Sequence, residues 1–553
     1  MKELKGQLTA RSLVIGIIGA LILTSSSLFV ALKTSALPWP IMFASLVSLL
    51  LLRALKHTNN REITVTHTAM SAGSMVAGGF AFTLPAIYIL DPQANVDLLT
   101  LILVTLCGTL LGLLFSSLFR RYFIDKSKMP FAMGQAAAKV IQSNKGQKST
   151  KIALVSSFSL AGLLGIVRDG LLAIPAGISF SGLGQFGSKA GLSFSLMLPA
   201  VGYIIGPATV LVWFLGGCIG DFGILTIGQL SGQIDQAMAL SLKSNIGLGW
   251  MVGVGVAIIV KEIFPNIKNF FHGISTHAEG GIPSIVIYTL APSIIIISLI
   301  FIFVLDVPVA AMVTVLVGVW LTSVMSAQCV GQSSIDPMEV FGILVMAIIK
   351  FFFPDMPMSY LVFAAAVVAI ASGLTGDMMN DFKSGAAFKT SVKAQWIAEA
   401  AGSIVGAIAV SIIFFVLVQA FGGSIFGSDI FPAAQSAAVA QLVGGVDNPL
   451  VFNLSAVISL IVYLFTPKLA MLGLGIYLPF NLTLTVCVGG LIRFIVKLLA
   501  RRRKNQKASE TAAIQKSVEH GDDISFAAGL LAGEGFVGII ITVFQALMII
   551  FAL

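Results

Sequence analysis

Charge is scarce in this chain of 553 residues: Asp, Glu, Lys and Arg make up 10% of it, against 57% hydrophobic residues. That scarcity leaves no room for a separate soluble domain. Cysteine is scarce as well. Cys107, Cys218, Cys329 and Cys487 are far apart and lie in or beside apolar segments, so neither a disulfide framework nor a thiolate metal site is implied. Among the few histidines, His272 and His277 stand with Glu279 in 272-HGISTHAEGG-281. Their spacing does not put both rings on one helix face, so the stretch reads as a solvated loop and no metal site is predicted. The sequence also lacks a phosphate-cradling glycine loop and any Ser-His-Asp or Cys-His constellation, which removes the grounds for an ATP-driven pump or a hydrolase. No enzyme activity and no cofactor are expected.

What is abundant is apolar sequence. Segments near 11–31, 38–53, 65–90, 98–120, 151–175, 245–262, 284–305, 308–326, 338–353, 359–379, 396–419, 451–466 and 524–552 read as spans, many of them longer than the roughly 20 residues needed to cross about 30 Å of hydrocarbon. The net charge of +9 sits in short loops beside these segments. It therefore reads as a topology signal rather than a nucleic-acid stripe, and no nucleic acid is expected as a partner. Lys2, Lys5 and Arg11 precede the first apolar run as in a signal peptide, but that run has no small-residue cleavage site and is long enough to span; it reads as a retained first helix. The one long polar stretch, 500-ARRRKNQKASETAAIQKSVEHGDDIS-525, reads as a cytoplasmic loop over 499–523.

Three apolar pieces recur in the same order. Gly202, Leu211, Gly216, Gly217 and Ile219 match Gly475, Leu484, Gly489, Gly490 and Ile492, 273 positions on, and Pro479 interrupts the second copy where Gly206-Pro207 interrupts the first. The stretch 130-PFAMGQAAAKVI-141 pairs with 432-PAAQSAAVAQLV-443, and 40-PIMFASLVSLLLLR-53 more weakly with 337-PMEVFGILVMAIIK-350. Lys and Arg flank the first Pro-Ala segment but not the second, and the reverse holds for the two interrupted Gly segments. That is the pattern of inverted-topology repeats. It predicts an all-α polytopic membrane protein with about 13 full spans plus re-entrant segments, about 16 membrane segments in all. The first repeat covers 1–265, a connecting segment with an extra helix 266–307, and the second repeat 308–553. Backbone broken at membrane depth is tolerated where it is packed in protein or lines a cavity, so Gly206, Pro207 and Pro479 are read as hairpin tips; a proline kink in an ordinary span stays open as the alternative.

Motifs along nearly the whole chain resemble one family: 8-LTARSLVIGIIGALILTSSSLFVALKT-34, 69-AMSAGSMVAGGFAFTLPAIYIL-90, 129-MPFAMGQAAAKVI-141, 201-VGYIIGP-207, 330-VGQSSIDPMEVFG-342, 372-SGLTGDMMNDFKSG-385 and 528-AGLLAGEGFVG-538. Together and in this order they resemble the oligopeptide transporter superfamily, which includes the yellow-stripe metal-chelate carriers and many bacterial members. The resemblance implies a secondary active transporter, usually driven by protons, importing peptides or peptide-like metal chelates across a prokaryotic cytoplasmic membrane. Two departures stand out. Ser74 takes the place of a Glu usual in the third helix, and Asp336 and Glu339 stand where more neutral residues are the rule.

Ionisable groups at membrane depth are costly and so are functional candidates. Asp377 and Asp381 are four apart, on one helix face, and are read as a proton-coupling pair; pairing of Asp381 with Lys383 or Lys393 is the structural alternative. Glu534, in its Ala-Gly-Glu-Gly run, joins them as a coupling candidate. Ser372, Thr375 and Asn380 supply neutral hydrogen-bonding groups beside the pair. Gln135, Gln435 and Asn481 both donate and accept, and Gly134 and Gly206 let backbone approach a ligand. Tyr203 and Tyr477 lie on the two Gly segments, with packing as the competing reading. Ser71 and Ser74 are substrate candidates, Gly73 a helix-crossing residue, and Ser333 and Ser334 follow from the resemblance. Glu399 reads as a helix-start residue favoured by the macrodipole, and Arg168-Asp169 as a self-neutralising pair. The expected partners are a peptide or metal chelate, protons and the bilayer. A homodimer fits one mode of alternating access, a bundle sliding on a dimerised scaffold; rocking is the other. A passive channel is the rival class.

Overall fold

Polar caps open the long helices. The side chain of Asn59 accepts the backbone N–H of Glu62, Asp97 that of Thr100 at 2.9 Å and Asn448 that of Val451 at 3.3 Å, each satisfying a donor that the first turn leaves unpaired. The structure is a computed structural model and describes mainly residues 4–261, 292–302, 307–505 and 525–541, apart from single positions and short gaps within 35–39, 56–57, 127–128, 143–146 and 334–335. The 272–281 loop, Ser334, most of the loop 499–523 and much of 284–305 lie outside the described residues.

The elements in order are α1 (Ala10–Thr34), α2 (Ile41–Ala54), α3 (Asn60–Ala81), the short α4 (Ala86–Leu90), α5 (Leu98–Arg120), α6 (Ala132–Gln142), α7 (Gln147–Gly165), α8 (Met197–Ile205), α9 (Pro207–Gly217), the short α10 (Gly228–Leu230), α11 (Gln236–Ile258), α12 (Val309–Ser333), α13 (Met338–Phe352), α14 (Met358–Ala387), α15 (Val392–Phe421), α16 (Ala434–Gly444), α17 (Pro449–Phe465), α18 (Leu472–Tyr477), α19 (Phe480–Asn505) and α20 (Ser525–Gly538). One small antiparallel hairpin, β1 (Gly177–Ser179) with β2 (Gly191–Ser193), sets Gly177 opposite Ser193. Among the described residues nine helices are long and apolar enough to cross a membrane, and three shorter apolar helices accompany them. The protein is an all-α polytopic membrane protein.

The chain forms two compact units. The first takes residues 1–143, 258–444 and 542–553. At its centre α14 is buried from Leu361 to Phe382, and α3 from Glu62 to Ala81. Around α14 pack α3, α5, α12 and α13, and around α3 pack α1, α2 and α15. Outward positions such as Val14, Ile18, Ile408 and Ile412 are exposed and apolar, as lipid requires and water would not. Where α3 crosses α15, small residues set the separation. A Cβ on Gly73 would lie 3.1 Å from the Gly402 carbonyl oxygen and 3.3 Å from Gly406 Cα, so Gly73 is the helix-crossing residue expected of it.

The second unit takes residues 144–257 and 445–541. It holds both interrupted segments. The first breaks at Gly206, whose φ of +102° and ψ of 160° end α8, and Pro207 then opens α9, the position where its missing N–H is harmless. The second breaks at Leu478-Pro479, between α18 and α19. The two segments pack on each other, α8 and α9 against α19 and α9 against α18. Arg493 of α19 fills the first break: its Nη1 donates to the carbonyls of Tyr203 and Ile204, both at 2.8 Å. The backbone acceptors freed by the break are thus met by a side chain from the other interrupted segment.

Candidate coupling site

In the first unit, three carboxylic side chains converge. Asp377 and Asp381 project from one face of α14, and Glu399 reaches them from α15; one carboxylate oxygen of each lies within 4.8 Å of the others, and all three residues are fully buried. Ser71 of α3 donates its hydroxyl to Asp381 Oδ2 at 2.9 Å. Gln395 holds the turn below, its amide donating to the Asp381 carbonyl at 2.7 Å. His67 of α3 stands with Nδ1 3.7 Å from Asp381 Oδ1. Asp336 lies against Gly376, the residue before Asp377, and accepts from Ser326 at 2.8 Å.

No lysine or arginine neutralises the three acids among the described residues. Lys383 turns away, donating to the Met129 carbonyl at 3.0 Å with its ammonium 5.8 Å from the Phe131 ring centre, and Lys393 is exposed. The pairing of Asp381 with either lysine, the structural alternative from sequence, is therefore replaced by contacts to Ser71 and His67. The carboxyl oxygens of Asp377 and of Glu399 have no hydrogen-bond partner among the described residues. Three like charges in an apolar interior repel one another and forgo hydration worth several kcal/mol each. The group is stable only when protons, or a cation, share it.

The second unit treats its buried acids differently. Glu534 is fully buried, receives Arg168 Nη1 at 2.7 Å on one oxygen, and accepts the backbone N–H groups of Leu196 and Met197 at 2.8 and 2.9 Å on the other. It thereby caps the start of α8. Arg168 also holds Asp169, so the expected two-residue pair is a three-residue cluster. Asp221 is matched in the same way by Lys243 and Ser188, both at 2.6 Å. A cavity of about 350 Å³ beside the α8 start is lined by Ser193, Ser195 and Thr485 among apolar side chains.

The other sequence candidates are scattered. Asn380 Oδ1 accepts the Gly134 N–H at 3.1 Å, joining α14 to α6. Ser372 and Thr375 bond back into their own helix, to the Val368 and Ala371 carbonyls, both at 2.8 Å. Ser74 bonds Ser27, and Gln135 bonds the Pro130 carbonyl at 2.7 Å. Gln435 is buried on α16, and Ser333 ends α12. Tyr477 packs on Gly247, and Asn481 approaches Ser193 at 3.4 Å.

The family model described as OPT oligopeptide transporter protein matches residues 7–545. The chain belongs to the oligopeptide transporter family. A relative from Haemophilus influenzae, named "Putative oligopeptide transporter", is 24% identical over 578 residues, covering 90% of this chain and 89% of the relative. Membership makes this multi-pass protein a transporter and not an enzyme.

In this family member the structure adds two residues to the site that sequence reasoning missed. Glu399 is not at a helix start: it lies two turns into α15, too deep for a macrodipole role. The one carboxylate in a 30-residue, largely apolar helix was the available signal. His67 carried no signal of its own, because its partners come from α2 and α14.

Proposed function

We propose that the protein is a proton-coupled importer of short peptides or peptide-like substrates in a bacterial cytoplasmic membrane. The observation that carries this reading is the group Asp377, Asp381 and Glu399, buried without a counter-cation among the described residues. A site that needs protons to be stable is also one that can take them up and release them as its surroundings change.

The two-repeat reading belongs to the same proposal, with repeats over 1–265 and 308–553 and a connecting segment over 266–307. Several regularities support it. Helices α1 and α12 begin and end 299 residues apart, and α6 and α16 begin and end 302 residues apart. Phe131 and Ala433, just before α6 and α16, both have φ of +42°, which non-glycine residues rarely adopt. The hydrogen bonds at these points are exchanged: Phe131 N donates to the Gly331 carbonyl at the end of α12, and Ala433 N to the Leu32 carbonyl at the end of α1, at 3.0 and 2.9 Å. Arg53 donates to the carbonyl of Ile141 and Lys350 to that of Val443, again at matching positions. At 11 residues each, α6 and α16 are about 16 Å long, too short to cross, in keeping with re-entrant pieces.

The test is uptake by proteoliposomes under an inward proton gradient, with a short-peptide library and chelated iron offered together and the lumen analysed by mass spectrometry. Peptides should accumulate above the external level and cease to when the gradient is collapsed. Accumulation of the chelate alone would move the protein to a metal-chelate role, and equilibration without accumulation would make it a passive pathway.

A further inference from the structure

His67 has no assigned role, and its surroundings pose a problem of hydrogen-bond counting. A serine hydroxyl has one hydrogen. That of Ser384 is directed to the Asp381 carbonyl at 2.8 Å, and that of Ser45 to the Ile41 carbonyl at 2.6 Å. Both hydroxyls therefore meet the imidazole as acceptors, Ser384 at Nε2 (3.1 Å) and Ser45 at Nδ1 (3.3 Å). A neutral ring carries one hydrogen, so either tautomer leaves a nitrogen facing only acceptors: with the hydrogen on Nδ1, Nε2 is a lone pair against Ser384 Oγ. With the hydrogen on Nε2, Nδ1 is a lone pair facing Ser45 Oγ and Asp381 Oδ1, the latter 3.7 Å away and without a hydrogen-bond partner among the described residues. All of these atoms are buried, where unpaired polar groups cost about 1–3 kcal/mol each.

One additional proton resolves the whole arrangement. We propose that His67 Nδ1 and Asp381 Oδ1 share a proton, as imidazolium with carboxylate or imidazole with carboxylic acid, and that this pair is the exchangeable proton store of the carboxylate site. The proposal rests on the proton-coupled reading above. Asp377 and Glu399 face the same space from α14 and α15, so the store is placed to pass its proton among the acids. Among the described residues the other charged groups on elements packed against α3 are engaged or turned outward: Arg11 of α1 holds Glu62, Lys33 lies over Phe29, Arg53 of α2 bonds Ile141, Arg120 of α5 bonds Asp125, Lys383 bonds Met129 and Lys393 is exposed.

The test labels histidine with nitrogen-15 in the full-length protein in lipid nanodiscs, with the His67 signals assigned by their loss in His67→Gln. The shared proton predicts an Nδ1 signal that is protonated or strongly hydrogen-bonded near pH 7. In Asp381→Asn, whose amide donates in place of the acid, Nδ1 stays hydrogen-bonded but no longer responds to pH. An Nδ1 with a free lone pair at every pH tested, unchanged by Asp381→Asn, would overturn the proposal. In proteoliposomes, His67→Gln should lower gradient-driven accumulation by about tenfold while leaving substrate counterflow within about twofold of the unmodified protein. An equal fall in both would mark His67 as merely structural and overturn its role as store. Unmodified protein that accumulates substrate regardless of the gradient would sink the coupled reading, whereas the nitrogen signals decide the shared proton independently.

Discussion

The two units bury carboxylates under opposite rules. Glu534 and Asp221 in the second unit each have a cation and further donors at hydrogen-bonding distance, whereas Asp377 and Glu399 in the first have neither among the described residues. The first arrangement is what structure requires of a buried charge: Glu534 fixes Arg168 and the start of α8 at once. The second lacks that compensation, and it is this lack that the proposed proton coupling draws on. Depth in the sequence does not separate the two kinds, and hydrogen-bond partners do.

Removing the partner of a compensated acid should have the largest effect on stability. Arg168→Ala leaves Glu534 buried and unpaired and is expected to cost about 3–5 kcal/mol, read as a loss of folded protein or a lower melting temperature in detergent. The opposite sign is expected at the uncompensated group. Glu399→Gln removes one like charge and should raise stability by about 1–3 kcal/mol at neutral pH, measured by the same melting experiment; a decrease would mean that Glu399 has a partner stabilising its charge. At the break in the second unit, Gly206→Ala forces a side chain into a left-handed conformation and sets its Cβ 2.9 Å from Arg493 Nη1. A loss of about 1–3 kcal/mol is expected.

The smallest effect belongs to an exposed cap. The Asp97 carboxyl is held below its ordinary range by hydrogen bonds from the Thr100 hydroxyl and N–H. Its contribution is therefore present at neutral pH and lost as pH falls through the depressed value. Asp97→Ala should cost about 1 kcal/mol near neutrality, and melting curves of variant and parent should converge in acid.

Much of the fold was legible because membrane helices declare themselves by apolar length, and because Gly206-Pro207 and Pro479 break a helix whatever surrounds them. Asp377 and Asp381 were legible for the same reason, as charges where charge is costly. The rest of the site was not. Ser71 and Asp381 are 310 residues apart, and Glu399 meets the pair only because α15 packs against α3 through Gly402 and Gly406. No period or spacing within one segment encodes those meetings. Ser372 and Thr375, reasonable ligand candidates by residue type, instead spend their hydroxyls on their own helix.

The central claim is that the uncompensated acids of the first unit carry protons with the substrate. It is tested most directly by recording lumenal pH with a trapped dye as an accumulated peptide is added to proteoliposomes. The account predicts acidification that keeps pace with uptake in the unmodified protein and vanishes in Asp377→Asn, while counterflow persists. Substrate entering with no lumenal acidification, or Asp377→Asn acidifying the lumen as the parent does, would contradict it.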